Sequence, residues 1–165
     1  MKRLGLLRHA KSSWDAPAVS DHDRPLNKRG LHDAPRMGEL LAERGVKPDM
    51  IISSTALRAR TTAELAGRAL GFTASGLRLT GDLYHAPAGT MLDVLEQLGG
   101  NAKEVILVGH NPGITALANR IADARIDNLP TAAFFYIEAD IERWSDLPGQ
   151  PGRLLFFATP KVDLL

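Results

Sequence analysis

Short apolar runs alternate along this chain with longer stretches in which apolar residues recur every three or four positions. Leu4–Leu7, Met50–Ser53 and Glu104–Val108 read as buried strands, and Ala133–Glu138 and Leu154–Thr159 add two more near the end. Between them the spacing turns helical. Asn27 can cap a helix running towards Gly45, with Leu31, Ala34, Met37 and Leu41 on its inner face. Pro35 predicts a bend in that helix or a restart at Asp33. Thr55 is placed to cap a helix over Ala56–Leu70, striped by Ala59, Ala63, Ala66 and Leu70 and stopped by Gly71. A shorter helix is expected over Thr90–Leu98. Another follows Asn111, with Pro112 at its first position and Ile114, Leu117, Ala118 and Ile121 facing inward. Ser145–Gly152 reads as a loop. Strands separated by helices predict a single-domain α/β fold over residues 1–165, an α/β/α sandwich in three layers around a mainly parallel sheet.

Composition narrows the partners. The 165 residues carry a formal charge of only +1, so a broad basic surface for nucleic acid is not expected. An anion site has to be a local cluster of arginines. The chain has no cysteine, which excludes disulfides, thiolate nucleophiles and cysteine-held metal, and fits a reducing compartment. The apolar stretch at the start ends after Leu7, too short for a signal-peptide core or a membrane span. A cytoplasmic chain without membrane contact, and a monomer, is the expectation.

In a parallel α/β sheet, ligands sit at the carboxyl ends of the strands. The first strand delivers Arg8 and His9 there, the second delivers Ser53-Ser54-Thr55 and then Arg58, and the third delivers Gly109-His110-Asn111-Pro112-Gly113. Two histidines and two arginines, distant in sequence, thus converge on one rim. Arg58 falls in the first turn of its helix, where a cation opposes the macrodipole. Breaking that local rule suggests a bound anion. Taken singly, each residue also fits a plain capping or surface role; their convergence is the signal.

Four blocks in order, LLRHAKSSW (6–14), DRPLNKRG (23–30), SSTALRARTTAE (53–64) and LVGHNPG (107–113), resemble the histidine phosphatase superfamily, most closely its SixA-type branch of phosphohistidine phosphatases. The resemblance implies a phosphoglycerate mutase-like fold and a phosphatase working through a phosphohistidine intermediate, with no cofactor and no metal. It implies that His9 is the nucleophile, that Arg8 and Arg58 bind phosphate, that His110 is the second pocket histidine, and that Arg24 is a further substrate contact. There are departures. Ala10 replaces the glycine of the wider superfamily, Asp15 an asparagine, and Thr55 and Thr61 a proline and a glutamine. Larger members supply a proton-donating carboxylate near the segment that here reads Leu83-Tyr84-His85-Ala86, where no acid stands.

That gap bears on substrate. An alkoxide leaving group needs a general acid, a contribution of about 10²–10⁴-fold. A phosphorylated imidazole leaves more readily, which favours a phosphohistidine-bearing protein as the partner. His85 and Asp21 are candidates for a donor, and none at all is a third possibility. A phosphatase for small phosphomonoesters, and a phosphate-binding module without turnover, stay open as alternatives. A metal hydrolase does not fit, since histidine pairs at ligand spacing are missing and clustered arginines repel a cation.

Overall fold

The structure, a computed structural model, describes residues 1–15 and 19–164. Six strands form one sheet in the order β3-β2-β4-β1-β5-β6. They are β1 (Lys2–Arg8), β2 (Met50–Ser54), β3 (Leu77–Thr80), β4 (Glu104–Gly109), β5 (Phe134–Ala139) and β6 (Arg153–Ala158). β1 to β4 pair in parallel, while β5 runs antiparallel to both β1 and β6. The sheet is therefore mixed, mainly parallel with one reversed strand.

Alternation of buried side chains explains the layers. Leu4, Leu6, Val105, Leu107, Phe135 and Ile137 pack on one side, beneath α3 (Ala88–Gly99) and α4 (Gly113–Ile121). Leu7, Ile106, Val108, Phe134 and Tyr136 pack on the other, beneath α1 (Lys28–Glu43) and α2 (Leu57–Leu70). Successive strand residues face opposite sides, so both faces of each central strand must be apolar. The two outer helices α1 and α2 pack closely because Gly38 lies against the backbone of Ala66, where a Cβ has no room.

Several local expectations are corrected. α1 runs unbroken through Pro35, so it does not restart at Asp33; the carbonyl that proline leaves unpaired belongs to Leu31, an exposed residue on the solvent side. Leu31 accordingly leaves the inner face, which Gly30, Asp33, Ala34, Met37, Gly38 and Leu41 supply. Thr55 does not cap α2. The cap position is Ala56, and the Thr55 hydroxyl instead meets His22 Nε2 at 2.9 Å. Asn111 does not cap α4 either, which begins at Gly113 after a cis Asn111–Pro112 bond. Its carboxamide is spent on Asn128, Leu129 and Thr115. α3 starts two residues before Thr90, a 3-10 helix over Trp144–Gly149 occupies most of the expected late loop, and edge strand β3 was not foreseen.

Candidate active site

Register brings the site together. β1 and β4 pair in parallel with Arg8 opposite Gly109, so the next residue on each strand, His9 and His110, emerges side by side. Their ring centroids lie 5.2 Å apart. β2 pairs with β4 at Ser53 opposite Val108, which sets Ser54 one strand over from His110. α2 begins just beyond β2 and places Arg58 at the same rim. The four charged or ionisable residues anticipated there, and Arg24, all line one cleft of about 310 Å³.

The cleft is cationic. Arg8, Lys11, Arg24 and Arg58 line it against the one carboxylate of Asp21. Burial is the first cause of a lowered Arg8 pKa, and the nearby Arg58 guanidinium adds to it. Like charges held together in a partly desolvated cleft are costly unless an anion compensates them. Three buried donors on these residues, Arg8 Nε, Arg58 Nε and His110 Nδ1, have no partner among the described residues. Native interiors rarely leave such groups unsatisfied, so the arrangement calls for an acceptor.

Each histidine has a defined proton. His9 Nδ1 stands 2.8 Å from the Ala10 carbonyl, which can only accept, so Nδ1 carries the hydrogen and Nε2 the lone pair. Burial, then Arg8, Arg58 and Arg24, bring the His9 pKa down to about 4, and the imidazole is neutral at ordinary pH. His110 is brought down to about 3 by burial, then by His9, Arg58 and His85. Its Nε2 meets Ser54 Oγ at 2.8 Å, and that oxygen already accepts from Ala56 N–H. Among the described residues the Ser54 hydroxyl has no other acceptor, so its proton goes to His110 Nε2, and Nδ1 is then the N–H donor.

Asp21 organises the opposite wall. It accepts from Arg24 Nε at 3.0 Å and from Arg58 Nη2 at 3.1 Å through its carboxylate, and from Arg58 Nη1 at 2.7 Å through its backbone carbonyl. The Tyr84 hydroxyl and His85 Nε2, the latter at 3.1 Å, reach the same carboxylate. The Tyr84 hydroxyl first, then Arg24 and Arg58, hold the Asp21 carboxyl far below the usual range. Asp21 thus carries no proton to donate here. His85 adopts a left-handed backbone, φ 53°, a conformation costing a non-glycine residue about 1–3 kcal/mol. That strain turns its ring to the cleft, 5.6 Å from His110 between centroids.

Two supporting residues escaped the sequence reading. Ser54 is one: the sequence places it at the rim but gives it no role, and its contact with His110 comes from the fold. Thr62 is the other: its hydroxyl donates to the Arg58 carbonyl at 2.7 Å and accepts from Ala10 N–H at 2.9 Å, tying the His9 loop to α2. A buried threonine one turn after Arg58 was the available signal. Among the described residues no group of three or more His, Asp or Glu side chains is placed to hold a metal ion, and no helix is long and apolar enough to cross a membrane.

Comparison with known proteins bears on the fold and the family. The profile of the histidine phosphatase superfamily (branch 1) matches residues 4–83. An uncharacterised protein of Mycobacterium tuberculosis is 32% identical over 165 residues, covering 94% of this chain and 100% of that one. A solved structure from Agrobacterium tumefaciens, named provisionally as the phosphohistidine phosphatase SixA, is 31% identical, covers 96% of this chain and 98% of its own, and superposes with a TM-score of 0.81. The protein histidine phosphatase SixA complexed with tungstate shares the fold at a TM-score of 0.81 and 22% identity, over 96% of this chain and 97% of that one.

Proposed function

Since the chain belongs to the histidine phosphatase superfamily, we propose that it is a phosphatase in which His9 takes the phosphoryl group, and that its substrate is phosphohistidine on a partner protein. The observation that carries the reading is the pairing of a neutral His9, its Nε2 lone pair free, with buried arginine and histidine donors that have no acceptor of their own.

The chemistry follows from those groups. Arg8, Arg24 and Arg58 grip the phosphate oxygens, with the forked, charge-assisted geometry that guanidinium provides and ammonium does not. His110 Nδ1–H donates to the same group. His9 Nε2 attacks phosphorus in line; the Nε2–P bond forms as the bond to the leaving group breaks, and the leaving group departs with that electron pair and takes a proton from solvent or from His85 at the mouth. Water then attacks phosphorus, His9 Nε2 recovers its lone pair, and inorganic phosphate leaves.

Asp21, held as a carboxylate, is a poor general acid, and His85 is the remaining donor at the mouth. A cleft so provided suits a leaving group that needs little proton donation, as an imidazole does. The resemblance to SixA-type structures supports the same substrate. The test compares turnover of a phosphohistidine-bearing domain with that of a sugar phosphate. The reading expects the former to be hydrolysed with the higher kcat/KM, and an acid-labile, alkali-stable phosphoenzyme to be trapped and lost in His9→Ala. Efficient sugar phosphate cleavage with no action on phosphohistidine would reject the substrate. Absence of a phosphoenzyme in a protein that binds phosphate would reject turnover through His9.

A further inference from the structure

Trp14 is an anomaly of the cleft. It is 77% exposed, the most exposed large apolar residue among the described residues, although leaving an indole in water forgoes much of the gain from burying it. Yet it is not loose. The Arg24 guanidinium carbon lies over the ring, 3.5 Å from its centre, a cation–π contact. Arg24 is itself fixed: Nε donates to Asp21, and Nη1 to Ser12 Oγ at 2.8 Å and the Ser13 carbonyl at 3.3 Å. An arginine of the cleft, hydrogen-bonded through Nε and Nη1, thus also packs its guanidinium over the exposed indole.

We infer that Trp14 is a specificity residue, a stacking platform for a phosphorylated planar ring whose phosphate is held by Arg24, Arg8 and Arg58. The inference rests on the phosphatase reading above and deepens it. Trp14 lines the same cleft as His9, so its indole is part of the wall that a bound leaving group can meet. An imidazole or aryl ring can stack there; a sugar or glycerol unit has no π face to offer. The ring source is either the imidazole of phosphohistidine or the ring of an aryl phosphate, and the two are separated by probe.

The experiment measures KM for a phosphohistidine peptide, phenyl phosphate and glycerol phosphate, and the inhibition constant of orthovanadate, in the wild type and in Trp14→Ala, Trp14→Leu and Trp14→Phe. The alanine and leucine variants are expected to raise KM for the ring substrates about 2- to 10-fold, the span of aromatic pair energies. KM for glycerol phosphate and vanadate inhibition should hold, and phenylalanine should restore ring binding. A larger rise for the peptide assigns the platform to imidazole, a larger rise for phenyl phosphate to aryl rings. A parallel loss of vanadate inhibition would mean that Trp14 acts only by propping Arg24, and would overturn the inference. So would an unchanged ring-to-glycerol ratio while hydrolysis continues. Failure of all hydrolysis would instead strike the phosphatase reading beneath it.

Discussion

Protonation decides what individual residues of the cleft can do. His9 and His110 are pushed down to about 4 and about 3 by burial and neighbouring cations, so both are neutral above about pH 5. The acid limb of kcat/KM, corrected for the substrate's own ionisation, should therefore fall near pH 4 and not near the ordinary histidine value of about 6.5. Stability follows the same groups. Between the unfolded value and the lowered folded values the unfolded chain binds more protons, so stability rises with pH there and is lost as pH falls from about 6.5 towards 4. Chemical denaturation at pH 7 and pH 4.5 checks this, and equal stability at both would contradict it.

Asp21 makes a second residue-scale case. Its carboxylate already pairs with Arg24 and Arg58, so under the proposed function it competes with an incoming phosphate for them. Asp21 is partly exposed, so the effect is moderate: Asp21→Asn should tighten inhibition by inorganic phosphate about two- to fivefold. Weaker inhibition would mean that the carboxylate chiefly orients the arginines. Arg58→Ala should lower kcat/KM about 10- to 100-fold, the loss expected for hydrogen bonds to a charged group. Arg58→Lys should restore little of it.

At the scale of elements, the site depends on a few joints between otherwise independent pieces. Thr62 joins α2 to the loop after β1 through two hydrogen bonds, both buried. Thr62→Val keeps the shape, removes both bonds and leaves the Ala10 N–H unpaired, a loss of about 1–3 kcal/mol in a urea titration. Gly113 opens α4 against the Ala86 carbonyl, where a Cβ has no space. Gly113→Ala should shift the His85 loop away from His110 and reduce both stability and kcat/KM.

These joints also mark the limit of what the sequence discloses. Apolar runs of β1, β2 and β4 are read directly because both faces are buried, and the α4 stripe of Ile114, Leu117, Ala118 and Ile121 survives intact. β3 is hidden because an edge strand with intermediate and exposed positions carries no strong pattern. Thr55 and Asn111 look like caps by residue type, yet tertiary partners claim their side chains first. The shared placement of Arg8, His9, Arg58 and His110 is legible because three strand ends deliver them to one rim, whereas Arg24 is suggested only by the family resemblance. The roles of Ser54, Thr62 and Trp14 are not legible, since their meaning lies in which atom each touches.

For the whole molecule, one topological fact governs the chemistry. A mixed sheet aligns the carboxyl ends of β1, β2 and β4, and among the described residues that rim and its loops collect four cations, one carboxylate and three histidines, His9 and His110 neutral, in a cleft of about 310 Å³. The charge is local, because the chain as a whole stands at +1. Such a focused cup attracts a compact dianion without inviting polyanions, and its affinity should decline only modestly with salt. The most direct measurement is a crystal structure with orthovanadate. The account predicts vanadium bonded to His9 Nε2, with its equatorial oxygens on Arg8, Arg58 and His110 Nδ1; vanadate bonded to His9 Nδ1, or bound away from this cleft, would contradict it.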